Sequence, residues 1–178
     1  MLKRKEVRNG ALVIGLMSGT SVDAVDAALV HIIPRRGRLK ARLVKFTTLP
    51  YSKRLRLRIF QAMEEKGSSV SLICQLNFEV GQAFAEAAAT LINTTGLRTE
   101  PIFAIGSHGQ TIYHIPPQLA QKEGLRPSTL QIGEASIIAV RTGVPTVSDF
   151  RTADMAVGGN GAPLITFADY HLLTHPKK

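Results

Sequence analysis

Residues 11–30 read ALVIGLMSGTSVDAVDAALV, and how this stretch divides decides the fold. Residues 11–17 and 27–33 are apolar runs of the length of a buried strand. Between them Ser18, Gly19, Thr20, Ser21 and Asp23 have the chemistry of a tight turn, in which small residues and short polar side chains satisfy the backbone locally. The stretch is expected to form a β-hairpin with a polar tip.

At that tip Gly19 lets a ligand approach the backbone, while Thr20 and Ser21 offer N–H and hydroxyl donors. Such a set suits phosphate oxygens. Asp23 and Asp26 are residues that hold magnesium, directly or through water. The alternative is an ordinary hairpin whose Ser, Thr and Asp bond only their own backbone. The stretch matches neither the P-loop nor the dinucleotide-binding fingerprint.

With 178 residues, 44% of them hydrophobic, the chain is long enough for one domain with a real core, which argues against disorder. No apolar run reaches the roughly 18 to 20 residues of a membrane-spanning helix, so the expectation is a cytoplasmic protein with no membrane partner. The single cysteine, Cys74, falls in a helical pattern, which rules out a disulfide within the chain and predicts an inert buried thiol. A net charge of +9 raises the question of nucleic acid. The basic residues gather in an N-terminal tail (Lys3, Arg4, Lys5, Arg8), around a turn (Arg35, Arg36, Arg38, Lys40, Arg42) and on one helix (Lys53, Arg54, Arg56, Arg58). No aromatic residue is interleaved for base stacking and Trp is absent, so these are read as solvated faces and no nucleic-acid partner is expected.

After the hairpin, residues 41–48 alternate as a third antiparallel strand. Residues 51–66 and 69–93 carry apolar positions three or four apart and predict two helices, the second long and with one buried face. Asn77 and Glu79 on that helix are solvated or capping groups, or Asn77 points into a cleft. The apolar run 101–105 reads as a short buried strand ending at Gly106. Ser107, His108, Gly109, Gln110 and Thr111 then occupy the carboxyl end of a strand, where α/β sheets bind ligands, and their donors and acceptors suit sugar hydroxyls. A histidine that merely caps the strand is the alternative for His108. His114 and residues 118–127 read as loop.

Residues 129–132 and 144–148 read as strands around a helix at 134–142, completing a mixed α/β sheet with helices on its faces. Asp149, Arg151 and Asp154 precede a loop with Gly158, Gly159 and Gly161, which opens through Pro163 onto a last helix reaching about residue 174. A carboxylate with an arginine beside it can face a substrate there, or the two can form a surface ion pair.

The segments GLMSGTSVDAVDAALV, LNFEVGQAFAEAA, GSHGQTIYH, TLQIGEASIIAVRTGVPTVSDFR and DMAVGGNGAPL, in this order, resemble the anhydro-N-acetylmuramic acid kinases. That family belongs to the sugar kinase, actin and heat-shock ATPase superfamily, built from two RNase H-like domains that close on ATP. The resemblance implies phosphorylation of 1,6-anhydro-N-acetylmuramic acid by ATP and Mg2+, with hydrolytic opening of the anhydro ring, to give the 6-phosphate in peptidoglycan recycling. Gly19, Thr20, Ser21, Val22, Asp23, Ala24, Val25 and Asp26 fall on its ATP-phosphate motif, with alanine at position 24 where the family usually has glycine. Asp154 falls on its catalytic base, and Ser107, His108, Gly109, Gln110, Thr111 and Arg151 fall on segments near the sugar. Members are about twice this length and are expected to be homodimers. The chain is therefore expected to be the N-terminal RNase H-like domain, spanning 1–178 without the adenosine-binding half, and either part of an active kinase or a sugar-binding or regulatory module derived from one.

Overall fold

The computed structural model describes residues 10–35, 38–96 and 101–173. The basic tail and the centre of the basic turn at 36–37 lie outside the described residues.

The hairpin forms as its apolar runs require. Strands β1 (Ala11–Ser18) and β2 (Ala24–Arg35) pair antiparallel, with Met17 opposite Asp26, and β3 (Arg38–Pro50) adds antiparallel to β2. Alternation along β1 buries Leu12, Ile14, Leu16 and Ser18 on one face. Helices α1 (Lys53–Met63) and α2 (Val70–Thr94) follow, each started by a serine: Ser52 Oγ accepts from the Leu55 N–H and Ser69 Oγ from the Leu72 N–H, both at 3.2 Å. The apolar face of α2, with Leu76, Val80, Phe84, Ala87, Ala88 and Leu91 fully buried, lies across the sheet, and its alanines allow close approach.

The chain returns as β4 (Ile102–Ile115), parallel to β1. It then forms α3 (Pro117–Glu123), β5 (Ser128–Ile132), α4 (Ala135–Thr142), β6 (Thr146–Val147), α5 (Thr152–Ala156) and α6 (Ile165–Leu173), which lies against β3. The sheet has six strands in the order β3-β2-β1-β4-β5, with β6 also on β4. Along one edge β4 meets β1; along the other it meets β6 in parallel at Ile105 and Gly106, then β5 antiparallel from Gln110 onward.

Four expectations change. The strand from 101 does not stop at Gly106 but runs through the Gly-Ser-His-Gly-Gln-Thr stretch to Ile115, and His114 lies within it, because partners on both edges supply ladder bonds that a single-sequence pattern does not reveal. Part of the expected loop 118–127 is helix α3, which buries Ala120 and stops at Gly124 in a left-handed conformation. The strand expected at 144–148 shortens to Thr146–Val147, and the residues before the glycine loop form the short helix α5. Cys74 is exposed, since its position on α2 turns it away from the Leu76 and Val80 face.

Candidate active site

The bend in β4 organises the site. Ser107 and Gln110 are three residues apart, which in a regular strand puts them on opposite faces, yet both are buried at 1% and 0% exposure. Gly109, at φ +73, inserts the irregularity that allows it: Leu16 pairs with Ser107 but Ser18 with Gln110. No larger residue fits, because a Cβ there would stand 2.6 Å from the Ile132 carbonyl oxygen. Gln110 Nε2 reaches back to donate to the carbonyl of Gly19 at 3.2 Å and to that of Thr111 at 3.3 Å. Thr111 Oγ1 accepts from Gln131 Nε2 at 3.4 Å. Around this bend the hydroxyls of Ser18, Tyr51 and Ser107 and Oε1 of Gln110 are buried with no hydrogen-bond partner of normal geometry.

His108 projects to the other face. It lines a cavity of about 410 Å3 with Gly15, Met17, Asp26, Phe46 and Phe150. Arg151 Nε donates to His108 Nε2 at 2.9 Å, Arg151 Nη1 donates to the Gly161 carbonyl at 2.6 Å, and the Gly161 N–H donates to Asp154 Oδ2 at 2.7 Å. A guanidinium can only donate, so His108 Nε2 carries no proton and Nδ1 donates to the Gly109 carbonyl at 3.0 Å. Burial lowers the His108 pKa; the Gly109 carbonyl opposes this and the Arg151 charge adds to it. The glycine loop wraps Asp154: a Cβ on Gly159 would lie 2.2 Å from its Oδ2. Asp154 itself is exposed.

On the far side of His108 a polar pocket of about 200 Å3 is lined by Asn77, Ser107, Gln131, Glu134, Ser148 and Asp149 among others. Asn77 does point into a cleft. Its Oδ1 accepts from the Gly133 N–H at 2.8 Å and its Nδ2 donates to Glu134 Oε2 at 3.1 Å. Glu134 caps α4 through the Ser136 N–H, and the Ser136 hydroxyl and N–H, in that order and ahead of Asn77, hold its carboxyl below the usual range. Sequence reasoning did not place Glu134 at the site; its position just before a short helix was the available signal. Glu79, by contrast, pairs with Arg58 on α1.

At the hairpin tip Gly19, Thr20 and Ser21 are exposed, and the Val22 N–H closes the turn onto the Gly19 carbonyl at 3.2 Å. Val22 and Val25 are fully buried, so they anchor the tip and have only backbone to offer a ligand. Val22 adopts φ 51, a strained conformation for a β-branched residue. Ala24, half-buried, pairs with Pro50.

The two aspartates have different hydrogen-bond partners. Ser21 Oγ donates to Asp23 Oδ1 at 2.9 Å, which is the main reason its pKa is lowered, and Arg56 of α1 lies nearby. Asp26 accepts from Thr48 Oγ1 at 2.7 Å and lines the His108 cavity. Among the described residues no three His, Cys, Asp or Glu side chains cluster as a metal site. Asp23 and Asp26 are both exposed carboxylates, a donor type that fits an ion whose other ligands are phosphate oxygens and water.

An antiparallel three-stranded meander continued by a strand parallel to β1, with helices on the sheet faces and a polar turn at the end of β1, is an α/β domain of the actin-like ATPase type. The model of one family, anhydro-N-acetylmuramic acid kinase, matches residues 11–178, and the chain belongs to that family. It is 47% identical over 167 residues to an anhydro-N-acetylmuramic acid kinase of Caldanaerobacter subterraneus subsp. tengcongensis, covering 94% of this chain and 42% of that protein. Enzymes of the same name from Bacillus thuringiensis subsp. konkukian and Bacillus cereus (strain ATCC 10987) are 45% and 46% identical, covering 93% of this chain and 43% of theirs. The chain thus spans less than half the length of these relatives. Among the described residues no helix is long and apolar enough to cross a membrane.

Proposed function

We propose that this chain supplies the phosphate-binding and water-activating part of a cytoplasmic, homodimeric sugar kinase acting on 1,6-anhydro-N-acetylmuramic acid. One observation carries the reading. The hairpin tip and the Asp154 loop are tied to the same few residues of β4, the tip through Gln110 to Gly19 and the loop through His108 to Arg151.

Bound ATP would supply the phosphoryl group and Mg2+ would balance its charge. The backbone of Gly19, Thr20 and Ser21 would cradle phosphate oxygens, with Asp23 and Asp26 as the carboxylates for the ion. Asp154, oriented by the Gly161 N–H and exposed on its other side, would take a proton from a water whose oxygen bonds to the anomeric carbon. As that bond formed, the bridge from the anomeric carbon to O6 would break, and O6 would take the terminal phosphoryl group of ATP as its bond to the bridging oxygen breaks and ADP leaves. Ser107, Thr111 and the ends of Arg151 and His108 would border the sugar.

The test is to combine the chain with a polypeptide supplying the remaining length of its relatives and to measure ATP-dependent formation of the sugar 6-phosphate. Asp154→Asn keeps an acceptor for the Gly161 N–H but loses the base, and is expected to lower kcat by about 10²- to 10⁴-fold. Undiminished turnover removes Asp154 from the mechanism. Sugar binding with no phosphate ester formed by any combination points instead to a binding module.

A further inference from the structure

The contact between His108 and Arg151 lies one step away from the proposed base, and its geometry assigns His108 a role of its own. We propose that His108 is a positioning residue for Asp154, acting through Arg151 and Gly161; this rests on the reading of Asp154 as the base. The His108 ring is held from one end by the Gly109 carbonyl at 3.0 Å, at the point where β4 is fixed by the Gly109 bend. Its bare Nε2 then receives the Arg151 Nε–H at 2.9 Å, which sets the plane of the guanidinium. In that plane Nη1 meets the Gly161 carbonyl at 2.6 Å, and the N–H of Gly161 is left pointing at Asp154 Oδ2, 2.7 Å away. A rigid strand thus orients the exposed carboxylate that α5 carries and the glycine loop wraps. Gly161 is itself buried, at φ +64, so the loop has little freedom at the point of attachment. Lysine cannot replace Arg151, because one ammonium cannot present two fixed donors in one plane to His108 and Gly161 together.

Hydrogen exchange at the Gly161 amide of this chain reads the device without any catalytic assay. His108→Leu removes the acceptor for Arg151 and is expected to speed Gly161 exchange about tenfold or more. His108→Gln places an amide oxygen near the former Nε2 and is expected to restore most of the protection. Arg151→Lys, which leaves the histidine in place, is expected to lose protection as His108→Leu does. In the complete kinase His108→Leu should lower kcat by about 10²-fold with little change in the KM for ATP, and His108→Gln should recover much of that loss. Equal Gly161 protection in all forms, or a His108→Gln variant as impaired as His108→Leu, overturns the proposal. Protection tied to His108 together with undiminished turnover of Asp154→Asn would support the hydrogen-bond chain and overturn the assignment of Asp154 as base, and with it the positioning role.

Discussion

Gln110, in the middle of β4, donates its side-chain amide to the main-chain carbonyl of Gly19 at the tip of the first hairpin, 3.2 Å away and across 91 positions of sequence. This bond locks the candidate phosphate turn to the strand that carries His108. The lock is buried, since Gln110 has 0% exposure.

Its removal should be costly. Gln110→Ala removes the side-chain donor that ties the Gly19 carbonyl to β4, leaving only the Val22 N–H of the turn itself, and opens a cavity; it is expected to destabilise the chain by about 2 to 4 kcal/mol in urea denaturation. Gln110→Met fills the volume without the donor and should fall between the two. A midpoint for Gln110→Ala equal to that of the unmodified chain would show that the bond does not hold the tip.

The glycine loop separates crowding from backbone strain. Gly159→Ala drives a methyl into the Asp154 carboxylate, so activity of the complete kinase should drop about 10²-fold while stability shifts by less than about 1 kcal/mol. Gly158→Ala meets open space but must hold φ +91, so it reports the backbone cost alone, about 1 kcal/mol of stability. Parallel kinetics and thermal melts of the two variants distinguish them.

Alkaline pH should expose the buried phenol. Burial pushes the Tyr51 pKa up to about 12, with the neighbouring Ser18 hydroxyl opposing. Because the folded value is raised above that of the unfolded chain, its contribution is fully present below pH 10 and is lost as pH rises toward 12, at most roughly 2 to 3 kcal/mol. Tyr51→Phe should remove this share of the alkaline slope. At neutral pH the same change deletes a buried hydroxyl that makes no hydrogen bond of normal geometry, and should cost little or nothing.

The exposed Cys74 should react with an aromatic disulfide in native buffer at a rate within about tenfold of the urea-unfolded chain. Labelling that appears only on unfolding would mean that the thiol is covered.

The hairpin, the long helix and the alternation of strands and helices were legible because each is written in local periodicity: two apolar runs around a polar turn, and apolar residues three or four apart from Leu76 to Leu91. The β4 stretch was legible as a site but not as a strand. Its glycines and polar residues look like a loop until β1 and β5 supply partners on either edge. Asp23 and Asp26 looked equivalent in sequence, yet their different neighbours, Arg56 for one and Thr48 for the other, separate them.

The order of residues alone determined the first hairpin, the long helix with its buried face and the alternation of strands and helices, because these depend on patterns within a few turns of backbone, and the order of its motifs determined the family to which the chain belongs. Only the tertiary structure decided that Asn77 meets Glu134, that Gln110 holds Gly19 and that Arg151 joins His108 to the loop of Asp154. Those pairs lie 57, 91 and 43 positions apart, and a hydrogen bond needs its atoms within about 3 Å, a condition that packing sets and local sequence does not.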